Sequence, residues 1–263
     1  MKDKLEQKEI ADFLQNTLHY VLKFTEPVKS FARSPQAVYA ISLYASIVEY
    51  SHGCLTLLRG NDLTCLPQLI RSMLEAHVDL INVTSDADYA HVMQATYLKD
   101  LLDMYKAAKR EPDNPYLKGI AELSDLDERI SITRKQLDEV KGKAQKFGRD
   151  IFKISERFKL AGLQLIYPVI YKMLCQDAHN NPNFLFTRHL EANAGGIEVT
   201  FFREKSVAEV AAVLDTMFAV IIESIAVIRR FFDVTDGEQQ FEELHKVVGD
   251  FKVKLTNQYP AIQ

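Results

Sequence analysis

The chain has 263 residues, of which 47% are hydrophobic, and 36 acidic side chains outnumber 32 basic ones for a formal net charge of -4. That length buries a sizeable core, and the acid excess excludes a global positive field that would draw the protein to nucleic acid or anionic lipid. Walker, Rossmann, HExxH, GxSxG and CxxC patterns are all absent, which removes local support for nucleotide-loop, hydride-transfer, zinc-protease and serine-hydrolase chemistry.

Glycine and proline are scarce, at ten and eight residues, and apolar residues recur at spacings of three and four, so the pattern predicts a mainly α fold of long helices. The N-terminal stretch Met1 to Ile10 is charged throughout and lacks the apolar core of a signal peptide, so a cytoplasmic protein in a reducing compartment is expected. Cys54, Cys65 and Cys175 lie in apolar helical contexts without ligand-like pairing, the pattern of buried thiols. No metal and no cofactor are expected.

A first helix is predicted from about Lys4 to Phe24, closed by Pro27. Ser34 reads as the N-cap and Pro35 as the first residue of a second, which Gly60 ends after Arg59. A third follows from about Leu63 to Val83, and a fourth from Asp86 to Lys109 stops at the Glu-Pro-Asp-Asn-Pro loop.

The segment from about Lys118 to Phe147 places Leu123, Leu126, Ile130, Thr133, Leu137, Val140, Ala144 and Phe147 at alternating steps of three and four, with charged residues nearly everywhere else. Such a narrow seam predicts a long protruding helix packed on a neighbour, in the same chain or in a second copy.

One or two helices are expected between Asp150 and Ala178, with Gly162 and Pro168 as bend points, and Pro182 forbids continuation past Asn181. Phe184 to Leu190 and Ile197 to Arg203 are β-prone, so a small β-hairpin is expected near 184–203. Ser206 caps a long helix to about Phe232, and a last amphipathic helix runs from Glu238 to about Leu255. Glu209, Asp215, Glu223, Arg229 and Arg230 interrupt the apolar run from Val207 to Phe232, which therefore reads as a core helix and not a membrane span. No linker separates two cores, so 1–263 is read as a single helical domain with its core at about 35–235.

Two segments gather polar chemistry. Arg71 and Glu75 stand one turn apart in an otherwise apolar helix, in the order that supports an isolated helix less well. They are read either as a structural ion pair or as an anion holder, with Glu75 orienting what Arg71 binds. His77 falls on the apolar side and reads as a packed core histidine. At the other segment, Asp177, His179 and Asn180 collect where a helix must end. His179 either caps the last carbonyls of that helix or serves as a general acid or base, because an imidazole titrates near neutrality, with Asp177 or Asn180 fixing its tautomer. Arg188 and His189 follow on a presumed strand, where only one of them can face the site.

The order of these features resembles an uncharacterised bacterial all-helical family. It comprises a long second helix, the Arg71-x-x-x-Glu75 helix, a charged middle helix, a segment from Tyr171 to His179, Asn181 and Pro182, a short β-prone stretch and a long closing helix. The likeness spans roughly residues 35 to 235. That family is in turn similar to the HEPN (higher eukaryote and prokaryote nucleotide-binding) superfamily, helical bundles that often act as metal-independent RNases in toxin and antiviral defence systems. The superfamily signature is an arginine followed four to six residues later by a histidine, a spacing that Arg71 and His77 meet. The resemblance implies a homodimer acting on RNA or a nucleotide, with His179 moving a proton at a ribose 2′-hydroxyl and Arg71 stabilising charge at phosphorus. The rival expectation is a non-catalytic helical sensor or scaffold that binds a protein partner, with 118–147 as the binding segment.

Overall fold

The computed structural model describes residues 5–25, 34–178, 181–193, 195–201 and 205–259. The capping signals act as their chemistry requires. The Ser34 hydroxyl accepts from Ala37 N at 3.1 Å, Pro35 opens α2 (Pro35–Arg59), and Gly60 closes it. Likewise the Ser206 N–H donates to the Glu209 carboxylate at 2.9 Å and starts α10 (Val207–Phe231). Before and between these lie α1 (Gln7–Thr25), α3 (Leu66–Ser85) and α4 (Tyr89–Arg110), and α11 (Glu238–Gln258) follows. The fold is mainly α, and among the described residues the sheet content is one two-stranded antiparallel hairpin.

The main core lies where α2, α3 and α10 pack together, with α1 and α11 against them. Helix α10 has the length and hydropathy of a membrane-crossing segment, yet it runs through this core with Leu214, Met217 and Phe218 fully buried. Phe13 of α1 stacks on Phe251 of α11 with ring centroids 3.9 Å apart, and Phe218 of α10 meets both edge-on, so three helices share one aromatic contact.

The charged middle segment is not one helix. It divides into α5 (Lys118–Ala121), α6 (Leu126–Lys143) and a 3-10 turn at Ala144–Phe147. The break falls at Glu122 to Asp125, where Ser124 and Asp125 favour turn and cap conformations over helix interior. Its seam is covered within the chain: Leu137 and Val140 of α6, with Ile130, bury against Ala95, Leu98 and Leu102 of α4 as a satellite core separate from the main one. Gly148 then turns the chain at a positive φ of 81°.

After a second 3-10 turn (Arg149–Phe152) come α7 (Ile154–Leu160), a π-helical turn (Tyr167–Tyr171) and α8 (Lys172–Ala178). Gly162 makes the bend expected of it, at a φ of 74°. At Pro168 the helix widens and does not break, because Tyr171 N–H reaches back five residues to the Ile166 carbonyl at 3.2 Å.

The hairpin is shorter than expected. Residues 184 to 189 are helical, within α9 (Pro182–His189), and the strands are β1 (Leu190–Asn193) and β2 (Gly196–Val199), paired from Leu190 with Val199 to Asn193 with Gly196. The Asn181 side chain accepts from Asn183 N at 3.1 Å, and Pro182 sits in the first turn. A cap plus an N1 proline overrides the β preference of Phe184, Leu185 and Phe186.

Candidate functional site

Helix α3 carries Gln68, Arg71, Glu75, Asp79 and Asn82 at steps of three and four, so the five fall on one stripe of an otherwise apolar helix. Three other elements cover that stripe. At its first end, Arg71 Nε donates to Glu75 Oε1 at 3.0 Å, and the Tyr171 hydroxyl donates to the same oxygen at 2.8 Å. The Arg71 guanidinium also lies over the Tyr171 ring, 5.7 Å from its centroid. The π-helical turn presents Tyr171, whose ring packs against Tyr167 at 5.3 Å and Phe158 at 5.0 Å between centroids.

At the other end of the stripe, Asp79 Oδ1 accepts from the Tyr89 hydroxyl at 2.6 Å, and its Oδ2 accepts from Arg157 Nη1 at 2.7 Å. Asn82 Nδ2 donates to the Arg157 carbonyl at 3.0 Å, which fixes the middle of α7 on α3. Exposure separates the two halves: the side chains of Asp79 and Arg157 are 13% and 21% exposed, and those of Arg71 and Glu75 are 24% and 36% exposed. A solute therefore reaches the Arg71 end more readily.

The electrostatics follow from these contacts. Burial works against the charge on Arg71, but its contact with Tyr171 and the Glu75 carboxylate outweigh burial and hold its pKa above the usual value. Arg157 is raised in the same way, burial being outweighed by Asp79. Burial, then the hydrogen bond and charge of Glu75, push the Tyr171 phenol up; burial and Asp79 do the same to Tyr89. Both phenols thus stay protonated donors to carboxylates at neutral pH.

His77 is the core histidine that its position suggested, 5% exposed, with Nδ1 2.8 Å from the Ser224 hydroxyl of α10. Burial pushes its imidazole down to about 4. It faces α10 while Arg71 faces Tyr171 of the π-helical turn, so the six-residue spacing does not bring the two side chains to one site.

His179 and Asn180 lie outside the described residues, and of the Asp177 side chain nothing is described. Arg188 and His189 belong to the last turn of α9 and not to a strand. His189 Nδ1 lies 3.3 Å from the Thr200 carbonyl, and among the described residues no hydrogen bond or ion pair joins Arg188 or His189 to Arg71 or Glu75.

Among the cysteines, Cys54 is buried, which raises its thiol to about 12, but Cys65 is exposed at the start of α3 and Cys175 is partly buried. All three are free thiols, and among the described residues no cluster of three His, Cys, Asp or Glu could hold a metal ion. Sequence reasoning missed Asp79, Tyr89 and Arg157. The available signal was the run Arg71, Glu75, Asp79 at strict steps of four on an apolar helix.

No curated protein and no solved structure matches the chain. The matching family model covers residues 37–197, more than half of the chain and every residue of the polar stripe, so the chain belongs to a family of unknown function, DUF5677.

Proposed function

We propose that this protein is an HEPN-like effector of antiviral defence that engages RNA or a nucleotide at the Arg71 end of the α3 stripe, as a metal-independent endoribonuclease. One observation supports this reading above others: Arg71 is a partly exposed guanidinium held in place by Glu75 and lying over the Tyr171 ring. A cation fixed in this manner suits a phosphate, because its orienting partner is already engaged before the anion arrives. Tyr171 offers a hydroxyl and an aromatic face beside it, a surface on which a base can stack.

In this reading Arg71 stabilises charge building at phosphorus, Glu75 orients Arg71, and His179 moves the proton. Asp177, Asn180, Arg188 and His189 contact the substrate. The protein works as a cytoplasmic homodimer. A protein partner at 118–147 meets its outer face, because α4 already covers the seam.

Anisotropy of a labelled single-stranded RNA tests the binding step. Arg71→Ala should weaken binding by about tenfold or more, the value of a charged hydrogen bond, and Arg71→Lys should recover part of it. Equal affinity in all three proteins would remove Arg71 from the site.

A second reading, a non-catalytic sensor or scaffold, is favoured by a specific observation. Glu75 accepts from Arg71 and Tyr171, and Asp79 from Tyr89 and Arg157, contacts that tie α3 to α4, α7 and the turn before α8. On that reading Arg71 and Glu75 hold the bundle together, and their replacement lowers stability without changing RNA affinity.

A further inference from the structure

The face of α3 opposite the polar stripe borders a different feature, a cleft of about 420 Å³ between α3, the segment 163–170, α10 and α11. Its size falls within the roughly 300–1,000 Å³ of small-molecule sites. The walls are apolar, with Leu163, Ile166 and Ile170 from the segment 163–170 and Leu74 from α3. On the α10 side Ala211, Ala212 and Ala219 keep the space open, since a larger side chain at any of them would fill it.

Two polar features stand out against these walls. His77 lines the cleft while being 5% exposed, and only its Nδ1 has a partner among the described residues, the Ser224 hydroxyl. Its second ring nitrogen has no hydrogen bond to the described residues and is open to one from a ligand in the cleft. The lining also includes Asp215, Glu223 and one lysine, Lys252, which lies 3.6 Å from Asp215. His245 Nε2 is 3.9 Å from Glu223 Oε1. The carboxylates exceed the lysine, so the lining favours a cation over an anion.

We infer that this cleft binds a small apolar molecule carrying an amine, with its ring body against Leu163, Ile166 and Ile170, its ammonium at Glu223 and a hydrogen bond to His77. This site is separate from the Arg71 end of the stripe, because His77 faces Ser224 of α10 and Arg71 faces Tyr171 of the π-helical turn.

The chain contains no tryptophan, so indole emission excited at the red edge of its band reports an indole probe alone. Tryptamine is the probe, and indole-3-acetate, of similar shape and opposite charge, is the control. The expected result is a saturable blue shift of tryptamine emission, with the acid about tenfold weaker once attraction to the carboxylates becomes repulsion. Ala219→Phe fills the cleft and should abolish the shift. Glu223→Gln, a change at a side chain 59% exposed and so compatible with folding, should weaken tryptamine about threefold. A signal that does not saturate, equal affinity for amine and acid, or full affinity in the Glu223→Gln protein overturns the assignment. Should Ala219→Phe fail to fold by circular dichroism, the charge pair and Glu223→Gln decide alone.

Discussion

The Tyr171 hydroxyl reaches Glu75 Oε1 at 2.8 Å across 96 positions of sequence, and Arg71 reaches the same oxygen from one turn away. One carboxylate oxygen thus joins a local helix pair to a distant aromatic turn. Tyr171→Phe removes one of its two donors and leaves the packing with Phe158 and Tyr167. It should lower stability by about 1–2 kcal/mol in urea unfolding, with Glu75 partly rescued by solvent.

Asp79 carries the larger structural burden. Its two oxygens accept from Tyr89 and Arg157, and its side chain is only 13% exposed. Asp79→Ala leaves both donors unmatched and should lower stability by about 3 kcal/mol or more. Tyr89→Phe should cost about 1–2 kcal/mol. A double-mutant cycle on Asp79 and Tyr89 should show a coupling energy well above zero; additive losses would mean that the hydrogen bond contributes little.

Below neutral pH, stability should depend on His77. Its folded-state pKa is depressed from 6.5 to about 4 by burial, so the unfolded chain binds the proton more readily. The contribution is then fully present above pH 6.5 and lost as pH falls toward 4, by at most about 3 kcal/mol. Urea midpoints between these limits should fall steeply for the native protein and less steeply for His77→Gln. Parallel slopes would show that other groups control the acid limb.

The satellite core between α4 and α6 should unfold apart from the rest. Leu137→Ala truncates one of its buried leucines, at a cost of about 2–4 kcal/mol locally. Amide exchange should quicken in α6 while the α2, α3 and α10 amides keep their protection. Quickening throughout would place the two clusters in one cooperative unit.

How far the sequence revealed this architecture depends on the range of each interaction. Ser34, Pro35, Gly60 and Ser206 act on neighbours within a turn, and the ends of α2 and the start of α10 fall where these residues place them. Pro182 shows the limit of that reasoning: the same proline that ends one helix starts the next, and Asn181 decides the matter with a side-chain bond that composition does not display. The seam of α6 was legible, but its partner was not, because the apolar stripe of α4 matches it only in three dimensions. For the site, Arg71 and Glu75 were visible as misplaced charges on an apolar helix, whereas Tyr171, Arg157 and Tyr89 reach that stripe through tertiary packing.

The role proposed for Arg71 is in RNA chemistry without a metal. The most direct measurement incubates the purified protein with total RNA and tRNA in EDTA, beside the Arg71→Ala and His179→Ala proteins, and reads the products on a denaturing gel. Cleavage by the native protein is expected, with a loss of about a hundredfold or more in each variant and both variants folded by circular dichroism. Cleavage that survives Arg71→Ala, or no cleavage by the native protein, would contradict that role and favour the stripe as a structural network in a binding module.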